Sequence, residues 1–193
     1  PVQKYIPEFR RDGKDGVTVR HLLTHTSGLR SGLGRKVDGQ HSAVAYACLE
    51  KITNAPGTSF TYSDINFILL GEIVQRVSGR PLETFTVEEI FRPLKMKDTR
   101  YLPWRSDLAR VAPTQRDGTN DMLRGVVHDP TSRKMGGVTG HAGLFTTAGD
   151  LAKYARMILD DGAGILKPET VKLMTSPQTV ATVFERRGLG WDI

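Results

Sequence analysis

The sequence has little cysteine and no long apolar run. Cys48 is the only cysteine among the 193 residues, so an internal disulfide is excluded and a buried, small apolar side chain is its expected role. No segment approaches the roughly 18 consecutive apolar residues of a membrane-spanning helix, and no signal-like segment opens the sequence. We therefore expect no membrane span in a chain whose length suits one globular domain.

Acidic side chains are also in short supply. Lys and Arg number 27 against 21 Asp and Glu, which gives a formal net charge of +6. Several of the basic residues fall between Arg105 and Lys134, but no aromatic residue is interleaved with them, as a groove for nucleic acid would require. We therefore do not expect a nucleic-acid partner.

Apolar residues at helical spacing predict a mainly helical chain. The strongest pattern begins at the N-cap candidates Ser63 and Asp64 and ends at Gly79, with a predicted buried face of Ile65, Ile68, Leu69, Ile73 and Val77. Further helices are predicted to begin near Thr18, Ser42, Pro81, Thr147 and Pro168. Residues 94–146 have no such pattern, and an irregular stretch of that length is typical of a functional wall or lid.

The last six residues, 188–193, alternate between apolar and polar side chains, which predicts a strand. Nothing else in the chain offers it a set of matching strands, and a lone strand is marginal in water. We therefore expect this segment to be disordered or to pair with another copy, which would make self-association dependent on concentration.

Tyr62 stands immediately before the N-terminus of the strongest predicted helix. The first-turn N–H groups and the positive end of a helix dipole favour anionic oxygens, so a phenol at this point could take part in proton transfer. The alternative is a surface tyrosine beside a capped helix. Both interpretations stay open at this stage.

Four other polar residues are candidates for a functional role. His21 and His25 have the four-residue spacing of zinc ligands, but the intervening sequence lacks the glutamate of such sites, and no metal is expected. Ser27 is outside any Gly-x-Ser-x-Gly elbow, so hydrogen bonding at a helix end is its expected role. His141 lies in a glycine-rich stretch, where a substrate contact and a tight structural loop are both open.

Four stretches, residues 17–29, 62–71, 137–151 and 188–191, resemble the serine β-lactamase-related family, which includes class C β-lactamases, D-alanyl-D-alanine peptidases and esterases. The resemblance implies the α+β penicillin-recognising fold. Residues 1–193 would be an internal part of one such domain, mostly its helical portion, with 188–193 as a stray C-terminal strand. It also implies a small-molecule or peptidoglycan-like substrate, no cofactor, and a periplasmic, cell-envelope or secreted location.

In that family a serine from Ser-x-x-Lys attacks an acyl carbon, its lysine and a Tyr-x-Asn tyrosine move the proton, and a Lys/His-Thr-Gly strand lines the site. Tyr62 matches the tyrosine and is the candidate catalytic residue, whereas the other two motifs do not occur in the sequence. The resemblance therefore implies a fragment of a serine hydrolase that is inactive by itself, the missing motifs preceding Pro1 and following Ile193. The alternative is a non-catalytic penicillin-recognising sensor or a helical interaction module.

Asp64 and His141 are the candidate substrate-binding residues under this resemblance. Asp64 stands where the family often has asparagine, and an ionised carboxylate accepts hydrogen bonds but cannot donate one to a substrate carbonyl. We therefore expect Asp64 to serve as a partner of the catalytic lysine. This difference favours peptidase or esterase activity over hydrolysis of β-lactams.

Overall fold

The computed structural model describes residues 1–34, 36–116 and 118–193. As predicted, the described part of the chain is mainly helical. The helices are α1 (Val19–Leu23), α2 (Gly39–Leu49), α3 (Asp64–Ser78), α4 (Leu82–Thr86, continued by a π-helical turn over Val87–Phe91), α5 (Pro130–Lys134), α6 (Ala148–Leu159) and α7 (Pro168–Met174). The strands are β1 (Arg100–Tyr101) and β2 (Leu144–Phe145), and short 3-10 turns cover Val2–Lys4, Pro7–Phe9, Lys14–Gly16 and Arg105–Arg110.

Helix α3 is the central element of the core. It ends at Gly79, whose φ of 69° provides the left-handed stop that the sequence predicted. Four of its five predicted core residues are buried, and they pack with side chains from the N-terminal turns, α1 and α2, among them Val2, Ile6, Phe9, Leu22, Ala47 and Cys48. The prediction for Val77 was wrong: its side chain is 66% exposed, because the last turn of α3 extends beyond the elements that cover the first three.

The burial of Cys48 agrees with its predicted role. Its side chain lies in the main core cluster. Burial is the largest of the effects that raise the pKa of its thiol to about 11. A thiol in this environment stays protonated and packs as a small apolar group.

A small sheet pairs the two ends of the irregular stretch 94–146 with each other. Strands β1 and β2 pair antiparallel, with Arg100 opposite Phe145 and Tyr101 opposite Leu144. The carboxylate of Asp150, near the start of α6, accepts hydrogen bonds from the Asp98 backbone N–H at 2.7 Å. The sheet therefore closes the stretch, and the Asp98 contact ties its beginning to α6.

Residues 188–193 do not form the predicted strand. Gly190 has a φ of 81°, which breaks the extended conformation, and its N–H donates to the carbonyl of Leu23 at 3.1 Å. Trp191 stacks on Tyr154 of α6 with ring centroids 6.4 Å apart. The segment is therefore a turn that packs on its own chain. The N–H groups of Leu189 and Gly190 donate to carbonyls at the ends of α7 and α1, and that of Ile193 donates to the carbonyl of Arg186.

Candidate active site

Tyr62 lies one residue before the N-cap of α3, as the sequence predicted. Its side chain is 60% exposed, so a ligand can reach it from solvent. Ser63 is the N-cap residue, but its hydroxyl donates to the carbonyl of Arg30 at 2.6 Å and caps no N–H of the helix. The first turn of α3 is thus tied to the loop after α1, which fixes where Tyr62 projects.

A buried histidine supports the Tyr62 ring. The centroid of the His25 imidazole lies 4.4 Å from that of Tyr62, with 31° between the planes. His25 Nδ1 accepts the backbone N–H of Ser63 at 3.1 Å, and Asn66 Nδ2 lies 3.2 Å from the same nitrogen. Burial, followed by the charge of Arg187, lowers the pKa of His25 to about 4, so the ring is neutral near pH 7.

His21 and His25 do not lie on one helix, as metal ligands with their four-residue spacing would. Helix α1 ends at Leu23, and His25 follows it with a φ of 57°, so the two rings do not project from one helical face. His21 Nδ1 instead accepts the backbone N–H of Thr18 at 3.3 Å, as part of a capping box. Within the described ranges, no group of three or more His, Cys, Asp or Glu side chains is placed to hold a metal ion.

Ser27 has the hydrogen-bonding role that the sequence predicted. Its hydroxyl donates to Asn66 Oδ1 at 2.6 Å and accepts the N–H of Leu29 at 3.1 Å. The side chain is fully buried, and its contact with Asn66 joins the segment after α1 to the first turn of α3, whereas the Leu29 contact is local. Ser27 therefore positions the elements beneath Tyr62.

The structure places His141 close to Asp64, although the two are far apart in sequence. His141 Nε2 lies 3.1 Å from Asp129 Oδ1, and the imidazole is almost completely buried. Its Nδ1 is sealed from solvent and has no partner among the residues described. The Asp64 carboxyl is half-buried; burial raises its pKa, while the His141 charge lowers it and the Asp129 charge raises it. Asp129 completes this cluster, and no sequence pattern had singled it out.

Close backbone packing sets the position of His141. The Gly140 backbone touches α3 so tightly that an added Cβ would lie 2.1 Å from the Phe67 carbonyl oxygen. Gly71 on α3 faces the same contact, where an added Cβ would lie 3.0 Å from the Gly140 nitrogen. The dense glycines therefore let backbone approach backbone, as the sequence suggested, and this contact brings the next residue, His141, to the N-terminal half of α3.

Arg187 is a site residue that sequence reasoning missed. Its guanidinium is almost fully buried, lies over the Phe60 ring at 5.7 Å, and pairs with Asp192. Burial lowers the pKa of Arg187 and the Tyr62 phenol raises it, so Arg187 lies near Tyr62 as well as near His25. The one available signal was its position directly before the Gly-Leu-Gly-Trp stretch, which identifies no role.

Comparisons with known proteins agree on one family. The family model described as Beta-lactamase matches residues 1–193. The "N-acetylmuramyl-L-alanine amidase" of Bacillus subtilis (strain 168) is 32% identical, with 98% of this chain and 50% of that protein aligned. The "Putative D-alanyl-D-alanine carboxypeptidase" of Escherichia coli (strain K12) is also 32% identical, over 100% of this chain and 51% of that protein.

A solved structure supports the same fold. The octameric penicillin-binding protein homologue from Pyrococcus abyssi is 25% identical and superposes with a TM-score of 0.75, covering 98% of this chain and 46% of that one. The chain therefore spans about half the length of the relatives that it matches.

Proposed function

Because this chain belongs to the beta-lactamase family, we propose that it carries the tyrosine side of a serine-hydrolase active site that works through an acyl-enzyme. The observation that supports this most strongly is the placement of Tyr62. Its ring is exposed at the N-terminus of α3, rests on the neutral ring of His25, and lies within the electrostatic reach of Arg187. A phenol has an ordinary pKa near 10 and becomes a useful base only beside cations.

In the proposed reaction the nucleophilic serine and its lysine are supplied by sequence outside these 193 residues. The serine oxygen attacks the acyl carbon, and its proton passes through Tyr62 and the lysine to the leaving group. Asp64, half-buried near the His141–Asp129 pair, serves as a partner of the lysine.

The proposed substrates are amides or esters of the D-alanyl-D-alanine peptide class, in the cell envelope or periplasm. The name of the E. coli relative supports this class, and that of the B. subtilis relative supports an amide substrate. The carboxylate of Asp64, where the family often has asparagine, disfavours β-lactam turnover. No helix in the described part of the chain is long and apolar enough to cross a membrane.

The test is Tyr62→Phe in the full-length protein. General acid–base groups commonly contribute about 10² to 10⁴ in rate, so acylation of an ester substrate should slow by about that factor. The thermal midpoint should stay the same, because the Tyr62 side chain is exposed and the ring is kept. The matched control is Tyr154→Phe. It removes a tyrosine hydroxyl from α6 instead of from the N-terminus of α3, and it should leave acylation unchanged.

Two results would contradict this proposal. One is an unchanged rate of both acylation and deacylation in the Tyr62→Phe protein. The other is saturable ester or cephalosporin hydrolysis by the purified 193-residue chain, which contains no Ser-x-x-Lys sequence. A full-length protein that is acylated but never releases product would be a sensor and not an enzyme.

A further inference from the structure

A cavity of about 740 Å³ opens next to the Asp129–His141 pair. Asp129 and Ala142 line one side, and the other side is formed by β1 and the turn after it, with Arg100 and Trp104. Because Asp129 both lines this cavity and bonds to His141, the cavity adjoins the proposed reaction site. Its volume is typical of sites that take small-molecule ligands.

Most of the charged groups in the cavity wall are already paired. Arg110 Nη1 lies 2.9 Å from Asp98 Oδ1 and 3.9 Å from Asp107 Oδ1. Asp129 is paired with His141. These contacts account for all three aspartates and for one of the three Lys and Arg side chains in the wall.

The two remaining cations, Lys97 and Arg100, form no ion pair with any residue that the structure describes. The three cations and three carboxylates of the wall balance in number, but no carboxylate in the described part of the chain bonds to Lys97 or Arg100. An anion that entered the cavity would meet these cations without having to displace a carboxylate.

Arg100 is held in an orientation suited to binding an anion. Its guanidinium carbon lies 3.4 Å from the centroid of the Trp104 indole, so the two groups stack, and its backbone pairs with Phe145 in the small sheet. Arg100 Nε is buried and has no hydrogen-bond partner among the described residues. Neither Nη atom of Arg100 is both buried and unpartnered. A planar guanidinium fixed on an aromatic face is a preorganised fork for a carboxylate.

We propose that this cavity is a subsite for a carboxylate carried by the substrate, bound by Arg100, with the aliphatic part of the same group packed against Trp104. The inference rests on the proposed function for the presence of a reaction beside the cavity. The carboxylate belongs to the part of the substrate that lies away from the bond to be cleaved. A peptide or acyl group with an acidic side chain fits this description.

Binding can be measured on the 193-residue chain itself. The probes are N-succinyl-D-alaninamide and N-acetyl-D-alaninamide, which differ by one carboxymethyl group (CH2COO⁻). Trp104 and Trp191 give the two indole N–H signals in an NMR titration, and Trp191, stacked on Tyr154, serves as the internal control. We expect the succinyl probe to shift the Trp104 signal saturably, and the acetyl probe to bind at least tenfold more weakly.

Variants assign the effect to Arg100. Arg100→Gln should weaken binding of the succinyl probe by tenfold or more, whereas Arg110→Gln, which removes an equal charge from the same wall, should change it less than twofold. Trp104→Ala, measured by calorimetry, is a second variant. It should weaken binding without unfolding the chain, because Trp104 is mostly exposed.

The proposal is overturned if the two probes bind equally, if neither binds saturably, or if Arg110→Gln weakens binding as much as Arg100→Gln does. None of these measurements involves acylation, so they leave the proposed hydrolase function untouched. Conversely, a Tyr62→Phe protein with unchanged acylation would contradict the hydrolase proposal and leave the binding results standing.

Discussion

At the scale of single residues, His25 joins two features that seldom occur together. Its backbone is left-handed, and its buried ring accepts the N–H of the α3 N-cap residue while supporting Tyr62. A protonated ring would lose its Nδ1 acceptor and would place a charge in the core near Arg187. The low pKa of His25 is the direct consequence.

The pKa of His25 predicts acid sensitivity of the fold. Between pH 6.5 and about 4 the unfolded chain binds a proton at this residue and the folded chain does not, so stability is complete above pH 6.5 and is lost as the pH falls. The loss should reach about 3 kcal/mol, since one pKa unit corresponds to about 1.4 kcal/mol. Urea unfolding at pH 7 and pH 4 measures it.

His25→Asn should reduce that loss, because asparagine tolerates a left-handed backbone and keeps an acceptor but does not titrate. His128→Asn, which removes an exposed imidazole, is the control and should retain the wild-type pH dependence. An unchanged pH dependence in the His25→Asn protein would show that acid unfolding has another origin.

Asp64 predicts the pH dependence of acylation in the full-length protein. Burial raises the pKa of this carboxyl, so the ionised form is lost at a higher pH than for an exposed aspartate. If ionised Asp64 is the partner of the lysine, the acylation rate should fall as the pH drops through that raised value. Asp64→Asn should abolish this acid limb, and the new amide donor should favour β-lactams over esters.

Asp160→Asn, at the end of α6 with an exposed side chain, is the control for the pH profile. Its acid limb should match that of the wild type. Identical profiles for Asp64→Asn and the wild type would remove Asp64 from the proton-transfer path.

At the scale of elements, α3 both fills the core and positions Tyr62 and Asp64. Leu69 is fully buried in it and Val77 is mostly exposed, so one helix offers a test and its control. Leu69→Ala should destabilise the chain by about 2–5 kcal/mol, the range for removal of a buried leucine side chain. Val77→Ala should change stability by less than about 0.5 kcal/mol.

Thermal or urea unfolding of both variants decides the point. Equal midpoints for Leu69→Ala and Val77→Ala would mean that α3 is not packed as the structure describes. A loss of stability confined to Leu69→Ala would support α3 as the element on which the site depends.

At the scale of the whole molecule, self-association stays a prediction, but the surface expected to mediate it is no longer a strand edge. The tail is a turn and offers no strand edge, whereas Phe184 is 93% exposed and Ile193 is half-exposed nearby in sequence. Exposed apolar side chains of this size favour contacts with a partner. Light scattering over a concentration series should show association that Phe184→Ser weakens. A monomer at every concentration would contradict it.

The sequence alone determined the features that depend on neighbouring residues. The helical spacing after Asp64, the stop at Gly79 and the place of Tyr62 before the first turn are all encoded within about 20 residues, so they could be predicted. The burial of Cys48 followed in the same way from its apolar neighbours. The alternation of apolar and polar side chains over 188–193 predicted a strand wrongly, because it carries no information on which backbone groups of the folded chain lie within hydrogen-bonding distance.

The tertiary structure alone decided which distant side chains meet. His25 meets Asn66, Asp129 meets His141, and Arg187 comes near Tyr62, through contacts that join residues far apart in sequence. Such pairings depend on the path of the whole chain, here on the close approach of Gly140 to α3, and no local pattern contains that information. The burial that shifts the pKa values of His25 and Asp64 has the same origin, since it is produced by every element that packs around them.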